Sequence, residues 1–258
     1  MKLSADQRQA LEKIIKWLRT PNRSPNYFTF GGYAGTGKTT LTALLRQILH
    51  KKNPKLKVAL VSYTGKAARV LKSTLIQQEA SYKQDTVGTI HSLIYEPVVN
   101  SKSDIVGWNK KQKVDVKLII VDEASMVNYD IWQDLLSFDI PILAIGDHGQ
   151  LPPIEGKFNL MKKPNVKLEK IHRQAENNPI IKLSIQARKT GKVLVGNFGP
   201  HIEKLDQSSM DTQEKIQDLL KNFNQQTMIL TGYNSTRVKI NEFIRQHKFF
   251  DPSPEPMV

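Results

Sequence analysis

Residues Gly32 to Thr39 read GYAGTGKT, a set of residue types suited to holding phosphate. Glycines at 32, 35 and 37 let the backbone close around an anion with its N–H groups turned inward. The N-terminus of a following helix adds a favourable dipole. Lys38 can then reach the β- and γ-phosphates of a nucleoside triphosphate, and the Thr39 hydroxyl can complete a Mg²⁺ shell, with Thr36 and Thr40 on either side. Gly32, four residues, Gly37, Lys38 and Thr39 make the complete phosphate-loop pattern, which does not choose between ATP and GTP.

A second set of polar residues follows an apolar run in LIIVDEAS. A buried strand ending there delivers Asp122 and Glu123 to the carboxyl edge of a sheet, the edge that also carries a phosphate loop. Asp122 would hold Mg²⁺, mostly through water, and Glu123 would orient and deprotonate the attacking water. Two acids after a strand can also simply cap a helix. In AIGDHGQLPPI another strand ends at Asp147, and the Gln150 amide follows where it could meet the γ-phosphate.

The elements needed to position these groups are legible along the chain. Ser4 is placed to cap a helix with Leu11, Ile14, Ile15 and Leu18 on one face, ended by Pro21 and Pro25. YFTF, KVALVSYT, VKLIIVDEAS and PILAIGD read as strands; TTLTALLRQILH, KAARVLKSTLIQQ and YDIWQDLLS read as helices. That alternation predicts an α/β fold, a mostly parallel sheet with helices on both faces, over residues 1–165. Residues 96–116 interrupt it with a polar, basic insertion, a hairpin or a loop.

From 166 to 258 the pattern resumes as a partial second lobe. It includes VKLEKI, a helix PIIKLSIQARKTG, an ill-defined NFGPHIEKL, a helix QEKIQDLLKNF, a strand TMILTG and a helix STRVKINEFIRQH.

The 258 residues carry 38 Lys and Arg against 24 Asp and Glu, a net charge of +14. Such a balance favours a polyanionic partner, nucleic acid first, although a basic surface can serve solubility alone. No cysteine is present, which excludes disulfides and thiolate metal sites. Neither a signal-peptide core nor a membrane-spanning run is found, so a soluble, cytoplasmic protein without a membrane partner is expected.

The ordered series GGYAGTGKTT, TGKAARVL, TIHSL, VDEASM, GDHGQLPPI and IHRQ resembles superfamily-one helicases of the RecD and Dda type. The likeness runs from LSADQRQAL to ILTGYNSTRVKINEFIR, nearly the whole chain. It implies RecA-like folding of both lobes, ATP rather than GTP, Mg²⁺, and single-stranded DNA or a duplex with a single-stranded tail as partner. It further implies a 5′ to 3′ motor; the residues do not reveal the oligomeric state, and a monomer is expected.

Gln7 matches the family's adenine-reading glutamine. Thr64, Gly65 and Lys66, then Thr89, Ile90 and His91, match two motifs that touch the DNA backbone. Gln150 matches the γ-phosphate sensor, and Arg173 the arginine that reaches the γ-phosphate from the second lobe. Trp108 lies where relatives carry a strand-separating hairpin, to wedge at a fork or to pack the insertion.

Complete members carry two later motifs, with His, Lys and Gln and with Thr-Arg. Between Arg173 and Val258 there is no HKxQG and no TRA. The chain therefore reads as an N-terminal portion of such a helicase, in which nucleotide binding should survive better than turnover or unwinding. The leading expectation is an ATPase core of a DNA helicase. The alternatives are a nucleotide- and DNA-binding module without productive hydrolysis, and a P-loop ATPase that remodels protein partners.

Overall fold

The computed structural model describes residues 3–101, 103–150, 158–168, 178–224 and 226–248. The chain divides into two compact units, Met1–Asn177 and Asn178–Val258.

In the first unit, helix α1 (Ala5–Arg19) starts at Ser4, whose side chain caps it together with Gln7 in a reciprocal pair. Strand β1 (Tyr27–Gly32) leads into α2 (Lys38–Lys52), then β2 (Val58–Ser62), α3 (Gly65–Gln77) and β3 (Thr86–Thr89). The short α4 (Ile90–Ile94) follows, then β4 (Tyr95–Val99), β5 (Ile105–Lys110), β6 (Leu118–Asp122), α5 (Tyr129–Leu136), β7 (Ile142–Gly146) and β8 (Val166–Leu168).

Six strands form one parallel sheet in the order β3-β2-β6-β7-β1-β8. Successive residues of each strand point to opposite faces, and the two faces bury two separate cores. Phe30, Leu60, Ile120, Leu143 and Ile145 pack with Leu11 and Ile14 of α1, Leu41 and Leu45 of α2, and Leu71 and Leu75 of α3. Val61, Ile119, Val121, Ile142 and Ala144 pack with Ile90 and Leu93 of α4 and with Ile131, Trp132 and Leu135 of α5. At roughly 1.5–3 kcal/mol for each large side chain removed from water, these layers hold the sheet edge rigid beneath its loops. The parallel sheet with helices on both faces is thus as expected.

The edge of the sheet extends beyond the sequence reading. The first lobe was expected to close at residue 165, but β8 is the sheet's edge strand beside β1, pairing Phe30 with Val166 and Gly32 with Leu168. Asn165 fixes that edge, accepting from Thr29 N at 2.7 Å and donating its own N–H to Thr29 Oγ1 at 3.0 Å. A three-residue strand carries no signal of which sheet it will join. The insertion at 96–116 contains the antiparallel hairpin β4–β5, with Trp108 opposite Pro97.

The second unit holds α6 (Pro179–Thr190), β9 (Gly196–Gly199), β10 (Ile202–Lys204), α7 (Met210–Lys221) and α8 (Asn234–Lys248). The Asn178 side chain caps α6, and Gly191 closes it at φ 69°. NFGPHIEKL resolves into the antiparallel pair β9–β10. TMILTG, expected as a strand, forms none: no described strand runs beside it, and Met228 and Leu230 are exposed. Among the described residues no helix is long and apolar enough to cross a membrane.

Candidate functional site

The phosphate loop springs from β1 and ends where Gly37 caps α2 in the left-handed region, φ 87°. A side chain at 37 would be strained there and would meet Gln7 Nε2 at 2.6 Å. At Gly32 a Cβ would lie 2.6 Å from Thr36 Oγ1 and 3.2 Å from Lys38 Cγ. Both positions therefore require glycine if the loop is to keep its curvature.

Thr36 is fully buried and its hydroxyl donates to Tyr33 O at 2.8 Å, bracing the loop internally. Lys38 Nζ donates to Gly32 O at 2.7 Å and Tyr33 O at 3.1 Å. Burial lowers the Lys38 pKa, while the nearby carboxylates of Asp147, Glu123 and Asp122 oppose that shift. Thr39 and Thr40 open the first turn of α2 beside it.

Gln7 lies in the same cluster. It is buried, its Oε1 accepts from Ser4 N at 3.1 Å, and its Nε2 donates to Thr36 O at 3.0 Å. The side chain so ties the start of α1 to the phosphate loop. Any contact from its amide to a base would have to compete with these two bonds.

Asp122 and Glu123 stand at the end of β6, two strands from β1 across β7. Asp122 is 8 % exposed; burial first, and then the Glu123 charge, push its pKa up to about 6. Glu123 sits in the left-handed region at φ 54°, a conformation disfavoured for a non-glycine residue and concentrated at functional turns.

Asp122 and Thr39 offer a carboxylate and a hydroxyl, the oxygen donors a Mg²⁺ ion prefers. A divalent cation would relieve both the burial of Asp122 and its repulsion by Glu123. Among the described residues no cluster of three or more His, Asp or Glu forms a self-sufficient metal site. Such a pair suits an ion that keeps water and phosphate oxygens as its other ligands.

At the end of β7 the Asp147 carboxylate bridges two loops. It accepts from Ala34 N in the phosphate loop at 3.1 Å and from Gly149 N at 2.8 Å. The Tyr33 and His148 rings lie beside it, centroids 4.3 Å apart. Gln150 Oε1 accepts from Ser125 Oγ at 2.7 Å, while its Nε2 lies 3.4 Å from Glu123 Oε2.

The residues matched to DNA contacts gather at the carboxyl ends of the neighbouring strands and in the helices that follow. Ser62 of β2 pairs with Asp122 on one side and with Thr89 on the other, so all three mark one edge of the sheet. Thr64 follows two residues later and caps α3, accepting from Ala67 N at 3.2 Å, with Gly65 and Lys66 exposed beyond it. Thr89 caps α4, accepting from Ser92 N at 3.1 Å. His91 packs between Tyr63 and Tyr95, with ring centroids 6.5 and 5.3 Å away.

Trp108 is 53 % exposed on the hairpin, apart from this cluster in sequence but joined to it through α4 and β4. Arg173 lies outside the described residues.

Sequence reasoning left Ser125, Tyr63 and the bridging role of Asp147 unassigned. Ser125 stands inside the VDEASM run and Asp147 inside GDHGQ, so each was marked only by its company. Tyr63 is separated from Tyr95 by 32 positions, and only the adjacency of β2 and β3 brings their neighbourhoods together.

A parallel sheet whose β1 runs into GYAGTGKT defines a P-loop nucleotide-binding domain. The chain belongs to the AAA domain family, whose model matches residues 2–229.

It is similar to the RecBCD enzyme subunit RecD of Buchnera aphidicola subsp. Schizaphis graminum, 26 % identical over 212 residues, 74 % of this chain and 34 % of that protein. The ATP-dependent RecD2 DNA helicase of Deinococcus radiodurans is 33 % identical over 158 residues, 58 % of this chain and 20 % of its own length. The ATP-dependent DNA helicase dda of Enterobacteria phage T4 is 30 % identical over 159 residues, 59 % and 33 % of the two chains.

The resemblance to RecD and Dda helicases is therefore borne out, and the chain spans between 20 % and 34 % of these relatives' lengths. Among solved structures, the Pif1 helicase of Candida albicans aligns over 93 % of this chain and 61 % of its own, at 20 % identity and a TM-score of 0.49.

Proposed function

We propose that this chain is the ATP-hydrolysing core of a DNA helicase or translocase, binding Mg²⁺·ATP and single-stranded DNA. The observation that carries this reading is the shared carboxyl edge of the sheet. It brings the phosphate loop, Asp122, Glu123 and Gln150 together, with Thr64, Lys66, Thr89 and His91 at the carboxyl ends of the next strands and in the helices that follow.

In this reading Lys38 and the backbone of Gly32, Gly35, Thr36, Gly37 and Thr40 hold the phosphates, and Thr39 and Asp122 hold Mg²⁺. The ion supplies charge neutralisation at the phosphates. Glu123 takes the proton of the attacking water, and Gln150 meets the γ-phosphate. Arg173 is assigned a positive charge at the γ-phosphate, and the C-terminal portion is assigned as a partial RecA-like lobe. Gln7 links the nucleotide base to the loop.

Thr64, Gly65, Lys66, Thr89 and His91 contact the single strand, Trp108 meets the duplex at a fork, and movement in the full-length protein is 5′ to 3′. The relatives' names, RecD subunit and ATP-dependent DNA helicase, support this reading. So does the net charge of +14.

A second reading keeps the nucleotide and DNA sites without the chemistry, with matched segments that make up 34 %, 20 % and 33 % of the three relatives. In that case the chain binds nucleotide and DNA without productive turnover.

Binding of a fluorescent single-stranded oligonucleotide at several salt concentrations tests the DNA half of the proposal. Phosphate contacts release counterions, so affinity should fall steeply and log-linearly as salt rises. A flat response, or no binding at low salt, would contradict both readings and leave a protein-remodelling ATPase.

A further inference from the structure

The side chain of Gln150 has two chemically different ends, and the structure fixes each with a different partner. The Glu123 carboxylate can only accept hydrogen bonds, so the end facing it is the amide nitrogen, at 3.4 Å. The oxygen then faces Ser125, whose hydroxyl donates to it at 2.7 Å. Rotated by half a turn, the amide would set its carbonyl dipole against the Glu123 charge and lose the donor from Ser125. The hydroxyl and the carboxylate together therefore select one orientation.

Ser125 is itself firmly held. It is 3 % exposed, in a single helical turn (Ala124–Met126) directly after Glu123. Its backbone nitrogen approaches Gly146 so closely that a Cβ at 146 would lie 2.9 Å from it. Gln150 is held at its backbone too, where its N–H donates to Asp147 O at 3.2 Å. A buried hydroxyl on a rigid turn thus aims an exposed, otherwise rotatable amide.

The geometry points to Ser125 as a positioning residue. Its hydroxyl locks Gln150 with the amide nitrogen toward Glu123 and the nucleotide's terminal phosphate, which makes the site selective for a triphosphate over a diphosphate. The inference rests on the assignment of Gln150 to the γ-phosphate. One N–H of the amide is directed at Glu123, and the second remains as a donor to a phosphate oxygen. Without the Ser125 hydroxyl the amide samples both orientations, and its carbonyl would repel the phosphate in one of them.

The test measures dissociation constants for Mg²⁺·ADP and for a non-hydrolysable ATP analogue, by competition with a fluorescent nucleotide. The proteins are the full chain and its Ser125→Ala, Gln150→Ala, double and Ser125→Thr variants. Ser125→Ala should weaken the triphosphate analogue roughly three- to tenfold, the range expected for one oriented hydrogen bond, with ADP unchanged. Gln150→Ala should do the same, the double variant should be no worse than Gln150→Ala, and Ser125→Thr should recover the parent's selectivity. If Ser125→Ala does not fold, Ser125→Cys, close in volume and a weak donor, should show a smaller loss in the same direction.

Equal weakening of both nucleotides would overturn the inference by making Ser125 a merely structural residue. So would losses that add in the double variant, or a neutral Ser125→Ala. A parent that binds neither nucleotide would overturn the functional assignment itself, a separate and recognisable result.

Discussion

Gln7 Nε2 donates to the Thr36 carbonyl at 3.0 Å, joining the first turn of α1 to the phosphate loop across 29 positions of sequence. The bond is buried, so deleting it leaves Thr36 O without that donor and removes the capping partner of Ser4. Gln7→Ala should cost about 1–3 kcal/mol of stability. It should also weaken nucleotide binding by about tenfold if the loop loosens. Urea unfolding and nucleotide titration measure the two effects, and a variant unchanged in both would show that the bond has no role in shaping the loop.

Arg46, near the middle of α2, and Asp85 form a buried, two-pronged ion pair, with Nε–Oδ2 at 2.7 Å and Nη2–Oδ1 at 2.8 Å. Their side chains are 0 % and 1 % exposed, and the guanidinium lies over the Tyr82 ring. Asp85→Ala leaves an unpaired buried charge and should destabilise by about 3–5 kcal/mol. Replacing both partners, Arg46→Met with Asp85→Leu, should cost less than Asp85→Ala alone. Chemical denaturation compares them, and a larger loss in the double variant would contradict this account.

Asp122 carries a pH prediction with a definite sign. Its pKa in the folded protein is raised from 3.8 to about 6 by burial and then by Glu123. A group with a raised folded pKa contributes stability below its unfolded pKa, and that contribution is lost as pH rises through about 6. Asp122→Asn should therefore match the parent at pH 4 and exceed it at pH 8, by on the order of 1–3 kcal/mol. Thermal melts at the two pH values test this. If Asp122 holds Mg²⁺ as proposed, the ion and the proton compete for the carboxylate, and Mg²⁺ affinity should fall as pH drops from 7.5 to about 5.5.

Trp108 is 53 % exposed, whereas Trp132 is 3 % exposed. Acrylamide should quench Trp108 strongly, and a forked DNA substrate should protect it; Trp108→Phe should remove the protectable signal. Base stacking on the indole is worth roughly 1–3 kcal/mol, so Trp108→Ala should bind DNA about tenfold more weakly. Quenching unaffected by DNA would assign Trp108 to the hairpin's own structure.

The parallel sheet was legible because its strands are continuous apolar runs flanked by helices of period 3.6, and both patterns are local. GYAGTGKT was legible for a related reason, since the residues that make up its pattern lie within eight positions. Strand β3 does not stand out by its own pattern, because TVGT is short and half polar and its partner β2 is set by the fold. The Ser125–Gln150 bond, the bridge from Asp147 to Ala34 and the bond from Gln7 to Thr36 join residues 25, 113 and 29 positions apart. Composition and periodicity mark no such pairs; strand order creates them. TMILTG shows the opposite error, an apolar β-branched run that a strand reading favours but for which no described strand supplies hydrogen bonds.

The most direct test of the central claim is steady-state ATP hydrolysis with Mg²⁺, with and without saturating single-stranded DNA, beside Lys38→Ala. The account predicts turnover that DNA stimulates and that Lys38→Ala abolishes while the variant remains folded. Turnover that persists in Lys38→Ala, or an inactive parent that also fails to bind nucleotide, would contradict it.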